Sequence, residues 1–383
     1  MKILVIGASF AGLHVSHALL KTLPSIKLTL VNPSPTFFFT CSAPRILGQG
    51  LFREEEYLIP IQDAFRSYGA RFEFVQGTAL KIDGGKQTVS IKEMDSQQVQ
   101  EVPYDYLIIT SGSTTPSLSN YVPIPFKQSG EDNMSTLIND AREKIQTASE
   151  IVIGGAGPLG VEIAGEIAER AEKDGRAVTI SLISATERVL PMLYEKGSRV
   201  AEDLLTRKKV KIIRNKRVEE VTVSDGRYTL TLSDGTSLST ALYIPTGGVQ
   251  PNNAFIPAEF LDENGWVVVD GTMRVQSREN QSQNQNQNLP IFAAGDITNN
   301  SPRLVLKAKQ QAGVLAANLA AEINGSPLKP KTYHQGDTFI MAVPIGTAGG
   351  AGQAFGWTAW SWLVWLIKGR DFFISRAKGF VVN

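Results

Sequence analysis

The chain has 383 residues, of which 42% are hydrophobic and 20% are charged, so it has enough apolar material for two or three globular domains. This composition excludes disordered and collagen-like proteins. The 38 basic residues almost balance the 37 acidic ones, which predicts no nucleic-acid partner. The single cysteine excludes an internal disulfide and indicates a reducing, cytoplasmic compartment, and we predict no metal site.

The first elements predict a nucleotide-binding unit. Lys2–Ile6 and Lys27–Asn32 are rich in β-branched residues and predict strands, with a helix over Ala11–Lys21 between them. The turn from strand to helix, here called the first cradle, consists of Gly7, Ala8, Ser9, Phe10, Ala11 and Gly12. A strand that leads directly into such a turn belongs to the fold, so we predict no cleaved targeting segment. No run reaches the roughly 18 apolar residues of a membrane span.

A second unit of the same kind follows. Glu150–Gly154 predicts a strand, Gly160–Lys173 a helix and Ala177–Ser184 the next strand. The second cradle consists of Gly155, Ala156, Gly157, Pro158, Leu159 and Gly160. Glycines allow the backbone to approach a pyrophosphate, whose charge is stabilised at the N-terminus of the next helix. Two cradles in one chain predict two bound dinucleotides and indicate electron transfer between a nicotinamide and a flavin.

Further strands with small or acidic residues at their ends indicate how the domains are divided. They are predicted over Tyr104–Gly112, Tyr243–Gly248 and Ile291–Asp296, and Thr338–Val343 predicts a later one. The polar segment Arg278–Asn288 predicts a surface loop without a function. We expect a discontinuous first domain over residues 1–115 and 245–326, a second over residues 116–244, and a C-terminal region over residues 327–383.

Both cradles and the strand ends resemble the two-dinucleotide flavoprotein family that includes glutathione reductase, the type II NADH dehydrogenases and apoptosis-inducing factor. The resemblance covers nearly the whole chain. It implies an α/β fold with two Rossmann-like domains of the glutathione-reductase type and a small C-terminal α+β region. It places FAD on the first cradle and NADH or NADPH on the second. The FAD-site residues that it implies are Gly7, Ser9, Phe10, Ala11, Gly12, Asn32, Arg45, Ala79, Thr110, Ser111, Gly112, Gly295, Asp296, Lys307 and Gln310.

Asn32 departs from the usual pattern, in which an acid at the end of the second strand accepts hydrogen bonds from the adenosine ribose. An amide carries no charge, so we expect a weaker ribose contact. In the family, the aspartate at the position of Asp296 binds the ribityl chain. The helix that begins near Lys307 directs its positive end at the flavin pyrimidine.

The second cradle is expected to bind the nicotinamide coenzyme, with Glu162 at the junction of flavin and nicotinamide; its alternative is a helix-start carboxylate favoured by the helix dipole. NAD-preferring relatives commonly have a glutamate at the position of Ser184. A serine there, with Arg188 in reach, favours NADPH without excluding NADH. The residues implied here are Gly155, Gly157, Pro158, Leu159, Gly160, Ser184, Arg188 and Gly247.

Cys41 lies near the place of the redox disulfide of this family, but Ile46 occupies the position of its partner. A single-cysteine branch, the NADH peroxidases and coenzyme A disulfide reductases, is one alternative. The favoured interpretation is a small buried side chain without a catalytic role.

The segments around Phe37–Phe39 and Leu366–Ser375 resemble the ferroptosis-suppressor-type quinone reductases and their fungal homologues. That resemblance places Lys368 near the flavin, Phe373 against a quinone ring and Arg45 at the FAD phosphates or the flavin edge. Glu162, Lys368 and Phe373 are therefore the expected catalytic residues.

The C-terminal segment 355–380 contains four tryptophans followed by cations, which is typical of a membrane interface. A buried helix and a dimer contact are the alternatives, so monomer and homodimer stay open. The predicted function is transfer of hydride from NAD(P)H to FAD and of electrons to a small quinone-like acceptor. Alternatives are a tailoring oxidoreductase of specialised metabolism and a redox-sensing signalling protein.

Overall fold

The structure is a computed structural model that describes residues 1–131, 133–277, 289–336 and 340–382. The predicted loop Arg278–Asn288 lies outside the described residues, as do the first two residues of the predicted strand Thr338–Val343.

The first sheet carries the first cradle. Within the described residues it has seven strands: β1 (Lys2–Ile6), β2 (Lys27–Asn32), β5 (Phe72–Asp83), β6 (Thr88–Glu93), β7 (Val99–Pro103), β8 (Tyr106–Ile109) and β18 (Ile291–Ala293). Their hydrogen-bonded order is β18, β8, β1, β2, β5, β6 and β7. The first five strands in this order run parallel; β6 pairs antiparallel with β5, and β7 pairs antiparallel with β6.

The first cradle lies at a switch point of this sheet. The central β1 has β2 on one side and β8 on the other, and in such sheets ligands bind at the carboxyl ends where the strand order reverses. β8 ends at Ile109, earlier than the predicted Gly112, because Gly112 adopts a φ of +67° and the chain leaves the sheet.

The second sheet repeats this arrangement with four parallel strands in the order β12, β11, β10 and β16. Its central strand β10 precedes the second cradle. The bounds are β10 (Glu150–Gly154), β11 (Thr179–Ile183), β12 (Lys211–Ile213) and β16 (Leu242–Pro245). An antiparallel sheet of β13 (Val218–Ser224), β14 (Arg227–Leu232) and β15 (Ser237–Thr240) lies in the same part of the sequence.

Helices cover the sheets and the C-terminal region. α1 and α6 follow the two cradles, and the predicted helices Ala11–Lys21 and Gly160–Lys173 agree with them to within two residues. In the part of the chain that the structure describes, the α-helices are α1 (Phe10–Thr22), α2 (Ala43–Gln49), α3 (Glu54–Tyr57), α4 (Ile61–Ala64), α5 (Met134–Thr147), α6 (Pro158–Lys173), α7 (Glu195–Arg207), α8 (Val305–Ile323), α9 (Ser361–Val364) and α10 (Ala377–Val382).

The C-terminal region packs on both units. Its antiparallel sheet consists of β19 (Met341–Pro344), β20 (Gly350–Ala354) and β21 (Trp357–Thr358). Short pairs are also formed by β3 (Thr36–Phe38) with β4 (Leu58–Pro60) and by β9 (Ser113–Thr114) with β17 (Gln250–Pro251). The close approach of Gly165 on α6 to Ile345 fixes this region against the second unit, since a Cβ at residue 165 would lie 2.9 Å from the Ile345 Cα.

Candidate active site

The two cradles have nearly identical backbones. Gly7 and Gly155 adopt φ values of +102° and +122°, which a side chain would strain. A Cβ at Gly12 would lie 1.9 Å from the Gly7 carbonyl oxygen, and a Cβ at Gly160 would lie 1.9 Å from the Gly155 oxygen. Each helix therefore begins in direct contact with the turn that precedes it.

A threonine braces each cradle from the neighbouring strand. The Thr110 hydroxyl lies 2.9 Å from the Ile6 oxygen and 2.8 Å from the Gly7 oxygen, and donates to this pair. Thr246 does the same in the second unit, at 3.2 Å from the Gly154 oxygen and 2.9 Å from the Gly155 oxygen. Thr246 was not among the predicted site residues, although its place before Gly247 repeats that of Thr110 before Ser111.

These features fit dinucleotides at both cradles. A Cβ at Gly157 would meet no atom within 4 Å, so the backbone of the second cradle is open there, and α1 and α6 begin at the carboxyl edges of their sheets. An anionic pyrophosphate is stabilised by such N–H groups and by the positive end of the helix. The backbone of both cradles is therefore compatible with a bound pyrophosphate, and the predicted phosphate contacts stay predictions.

Asn32 braces the first cradle. Its Oδ1 accepts the Ala8 N–H at 3.0 Å, and its Nδ2 donates to the Ser34 carbonyl at 2.8 Å. The side chain is buried, and an aspartate could not make the second bond because a carboxylate has no donor. This explains the amide on structural grounds, and the ribose contact stays a prediction.

Gly295 and Asp296 lie beside the first cradle. The Gly295 N–H donates to Gln311 Oε1 at 2.8 Å, and a Cβ at residue 295 would lie 3.0 Å from the Ala11 Cβ. The Asp296 carboxylate forms an ion pair with Lys127 and accepts a bond from Ser113 at 3.1 Å. Lys127 and Gln311 were missed in the sequence because neither belongs to a motif.

Four other predicted FAD residues lie around this edge. Ser111 Oγ donates to the Asn252 carbonyl at 2.8 Å, and the Gly112 carbonyl accepts the Asn252 N–H at 3.1 Å. Lys307 and Gln310, in the first turns of α8, line a cavity of about 390 Å³, and Lys307 Nζ donates to the Gln335 carbonyl at 2.6 Å.

Two other residues of the predicted FAD site, Ala79 and Phe10, lie in β5 and at the start of α1. Ala79 lies in β5, beyond Gln76, which pairs with Asn32. Phe10 packs edge-on against Phe37 at 5.0 Å and against Phe380 of α10 at 5.2 Å, measured between ring centroids. The C-terminal helix thus covers the outer side of the first cradle.

Glu162 and Lys368 meet in the structure. Lys368 Nζ lies 2.5 Å from Glu162 Oε1, and both side chains are largely buried. Burial raises the pKa of the Glu162 carboxyl, and the neighbouring Lys368 ammonium opposes this shift. The two residues predicted from different motifs, 206 positions apart, therefore form one charged pair.

Arg45 is placed differently from the prediction. Its guanidinium forms a buried ion pair with Glu166, with two contacts of 2.9 Å, and its other donors reach backbone carbonyls of the C-terminal region. Because each of its five N–H groups already has an acceptor, the geometry gives Arg45 no donor for FAD phosphates or the flavin edge.

Cys41 and Phe373 each precede or follow a residue of the contact between Ser42 and Phe372. Loss of hydration raises the pKa of the Cys41 thiol to about 11, so the thiolate is scarce at neutral pH. Lys368, Glu162 and Lys127 are the charged groups that act on this thiol. Phe373 is partly exposed, whereas Phe372 is buried and lies beneath Arg45.

The rim of the second cradle is more open than that of the first. Ser184 is buried, and its hydroxyl donates to the Arg188 carbonyl at 3.1 Å, so it closes its own turn. Arg188 is partly exposed, and its guanidinium donates to the Pro191 carbonyl at 3.1 Å. Pro158 and Leu159 are partly exposed at the start of α6, and Gly247 is exposed.

The C-terminal tryptophans face outwards. Trp357, Trp360 and Trp362 have exposed fractions of 79%, 69% and 59%, and Phe355 is also exposed. A buried helix is thereby excluded for these side chains. Trp357 lies in β21, Trp360 directly precedes α9 and Trp362 lies in it, and a π-helical turn over Trp365–Gly369 follows. Among the described residues, no helix combines the length and apolarity needed to cross a bilayer.

The sequence profile of the pyridine nucleotide-disulphide oxidoreductase family matches residues 1–312. The chain belongs to this family. Oxidoreductase ptaL of Pestalotiopsis fici is 36% identical over 359 residues, which cover 92% of this chain and 91% of that protein. FAD-dependent oxidoreductase FVFD30 of Flammulina velutipes is 25% identical over 331 residues, with coverages of 85% and 95%. Ferroptosis suppressor protein 1 of Homo sapiens is 25% identical over 390 residues, with coverages of 98% and 95%.

Solved structures agree on the fold. NDH2 from Plasmodium falciparum superposes with a TM-score of 0.77 over 99% of this chain and 96% of its own, at 15% identity. The sulfide:quinone oxidoreductase from Aquifex aeolicus gives a TM-score of 0.74 over 100% and 92%, at 18% identity. The predicted fold class and the resemblance to ferroptosis-suppressor-type proteins are confirmed. The chain is an FAD-dependent NAD(P)H oxidoreductase.

Proposed function

We propose that this oxidoreductase passes electrons from NAD(P)H through FAD to a small, conjugated, quinone-like acceptor. When bound, FAD supplies the redox chemistry, taking hydride from the coenzyme and releasing electrons to the acceptor. The observation that carries the proposal is the buried Lys368–Glu162 pair, which joins the C-terminal region to the helix of the second cradle.

Lys368 and Glu162 have distinct roles in this proposal. The Lys368 ammonium stabilises negative charge that develops at the flavin edge or on an acceptor oxygen, an effect that is stronger in a buried site than in water. Glu162 holds the ammonium in place at 2.5 Å. Phe373 lies five residues beyond Lys368 in the chain and is partly exposed, and its ring offers a flat apolar surface to an aromatic acceptor.

The chemistry of Cys41 favours an acceptor outside the protein over a thiol mechanism. A pKa of about 11 keeps the thiol protonated and a poor nucleophile at neutral pH. The sulfide:quinone oxidoreductase that shares this fold has a quinone as its named acceptor. Residues 1–115 and 245–326 provide the FAD part in this proposal, residues 116–244 the coenzyme part, and residues 327–383 the acceptor side.

A panel of acceptors tests the proposal. Steady-state NAD(P)H oxidation is measured with short-chain quinones, ferricyanide and oxygen, and with the Lys368→Met and Lys173→Met variants as a matched pair. We expect quinones to give the fastest turnover, with a loss of roughly 100-fold in Lys368→Met and none in Lys173→Met. Equal quinone turnover in both variants would exclude the role of Lys368.

A second candidate is a tailoring oxidoreductase that acts on one particular small molecule, with oxygen as the oxidant. The relative with 36% identity, against 25% for ferroptosis suppressor protein 1, is named an oxidoreductase without a quinone acceptor in its name. The same panel separates the two: rapid reoxidation by oxygen with slow quinone turnover would support the second candidate.

NADPH is the proposed coenzyme. The second rim has a neutral Ser184 and a partly exposed Arg188, so the 2′-phosphate meets a cation there and no carboxylate at residue 184. Arg188→Ala is expected to raise the KM for NADPH about tenfold and to leave that for NADH unchanged. Equal effects on both coenzymes would remove the phosphate contact.

The exposed tryptophans are proposed to contact a membrane surface, where a lipid-soluble acceptor would be taken up. Stacked Trp360 and Trp362, with ring centroids 6.1 Å apart, are accompanied by exposed Arg370 and Lys378. Tryptophan and cations together suit the interface of an anionic bilayer. Flotation with anionic vesicles should fail for a variant in which Trp357, Trp360 and Trp362 are serine; a loss of dimer mass instead would assign the patch to a second copy.

A further inference from the structure

Arg45 lies where three parts of the chain meet. It belongs to α2 of the first unit, and the residue is 1% exposed. It contacts Glu166 on α6 at 2.9 Å through both carboxylate oxygens. It also donates to the carbonyls of Gly369 at 2.6 Å and of Arg370 and Gly346 at 3.2 Å, all in the C-terminal region. One side chain thus joins α2, α6 and the C-terminal region.

The groups that Arg45 binds stand next to the charged pair of the proposed active site. Glu166 lies one helical turn beyond Glu162 on α6. Gly369 follows Lys368 and ends the π-helical turn, whose last carbonyls lack partners within the turn. The Phe372 N–H donates to the Lys368 carbonyl at 2.7 Å, and Arg45 donates to the Gly369 carbonyl. The pairs Arg45–Glu166 and Lys368–Glu162 therefore lie side by side on one helix.

The chain beyond Lys368 is strained. Phe372 and Phe373 adopt φ values of +50° and +62°, which bulky side chains rarely do. Such conformations persist only where surrounding contacts hold them. The Phe372 ring lies 4.4 Å from the Arg45 guanidinium carbon, and its carbonyl accepts a bond from Ser42 at 2.9 Å. α2 and the residue before it therefore hold this turn.

We infer that Arg45 is a positioning residue that keeps Lys368 on Glu162 by holding the strained turn 365–373 against α6. The inference rests on the proposed function, since it concerns the same lysine. It requires the planar guanidinium: an ammonium cannot bind a carboxylate with two parallel bonds and donate to three carbonyls as well. The N–H groups of Arg45 are all engaged by Glu166 and backbone carbonyls, so in this inference Arg45 acts through Lys368.

The experiment must distinguish a positioning role of Arg45 from a role in stabilising the fold alone. Removing one member of a buried ion pair leaves the other charge without a partner and endangers the fold. The informative variant is therefore Arg45→Met with Glu166→Met, which removes both charges and also the bonds to the Gly369 and Arg370 carbonyls. Gln49→Met is its matched control, because Gln49 donates to Glu166 at 2.6 Å but does not bind the turn.

The first measurement is the rate of Lys368 acetylation by acetic anhydride in the FAD-loaded protein, read by mass spectrometry with Lys173 as the internal reference. We expect a several-fold increase in the double variant, a smaller one in Ser42→Ala and in Arg45→Lys, and none in Gln49→Met. An unchanged Lys368 rate in the double variant, in protein that retains FAD, would overturn the inference.

The second measurement is the reduction potential of bound FAD. We expect it to fall in the double variant in the same direction as in Lys368→Met, and to change no further when the three substitutions are combined. Additive shifts would overturn the inference, because Arg45 would then act independently of Lys368. Quinone turnover of the wild-type protein is measured separately, so that failure of the proposed function is distinguished from failure of the positioning role.

Discussion

The two cradles share one backbone and differ in what surrounds it. Both use a left-handed glycine, a glycine in contact with a carbonyl and a threonine brace. In the first, Phe10 and Ala11 are buried and α10 packs on α1, with His17 Nε2 donating to the Val381 carbonyl at 2.7 Å. In the second, the equivalent Pro158 and Leu159 are partly exposed.

We propose that this difference separates a resident cofactor from an exchanging one. In this proposal, the cradle covered by the C-terminal helix retains its dinucleotide, and the more open cradle binds and releases its dinucleotide in every cycle. The predictions below probe equivalent positions of the two cradles.

The largest effect is expected from a methyl group at the closest contact. Gly12→Ala and Gly160→Ala each bring a Cβ within 1.9 Å of a carbonyl oxygen, which the helix can relieve only by moving. We expect Gly12→Ala to abolish FAD retention and to cost several kcal/mol of stability. Gly160→Ala should retain FAD and lose reduction by NADPH. FAD content after gel filtration and anaerobic bleaching measure both, and loss of FAD in both variants would contradict the distinction.

The next largest effect is expected at Asn32, whose side chain braces the first cradle. Asn32→Asp keeps the acceptor for the Ala8 N–H but places a carboxylate against the Ser34 carbonyl. We expect a loss of about 1–3 kcal/mol in the free energy of unfolding, together with weaker FAD binding. Denaturation and FAD titration measure the two quantities. Tighter FAD binding in this variant would show that the ribose contact outweighs the brace.

The cradles were predictable because their geometry demands particular residues at fixed spacing. Gly7, Gly12, Gly155 and Gly160 are required by φ values and contacts that exclude a side chain. The strands around them follow from β-branched runs, so β1, β2 and β10 have the predicted bounds. Local sequence therefore specifies both the elements and the phosphate ends of the site.

A smaller effect is expected from the threonine braces, which should respond alike. Thr110→Val and Thr246→Val preserve shape and remove the hydroxyl that donates to two carbonyls. We expect each to cost about 1 kcal/mol in the free energy of unfolding. Thr110→Val should weaken FAD binding and Thr246→Val should raise the KM for NADPH. A change in FAD affinity only in Thr246→Val would reverse the assignment of the cradles.

The smallest effect is expected at Cys41. With a thiol pKa of about 11, alkylation by iodoacetamide should be slow at neutral pH and should accelerate as pH rises towards that value, because only the thiolate reacts. Cys41→Ser should leave NADPH oxidation unchanged. Rapid alkylation at pH 7, or loss of turnover in the serine variant, would restore a thiol mechanism.

The contacts between separate parts of the chain were less predictable, because they join residues that are far apart in sequence. Arg45 has the right chemistry for a phosphate, but its N–H groups donate to Glu166 and to three backbone carbonyls, and the Arg45–Glu166 ion pair is buried. Lys127 reaches Asp296 from the passage between the units, where no spacing rule applies. Such contacts depend on how separate units pack, and pairwise packing leaves no local pattern.

The central claim, that electrons pass from NADPH through FAD to a quinone, is tested most directly by anaerobic stopped-flow absorbance of the FAD-loaded protein. We predict that one equivalent of NADPH bleaches the flavin absorbance and that a short-chain quinone in a second mix restores it faster than dissolved oxygen does. A flavin that NADPH bleaches but quinone leaves reduced would contradict the claim.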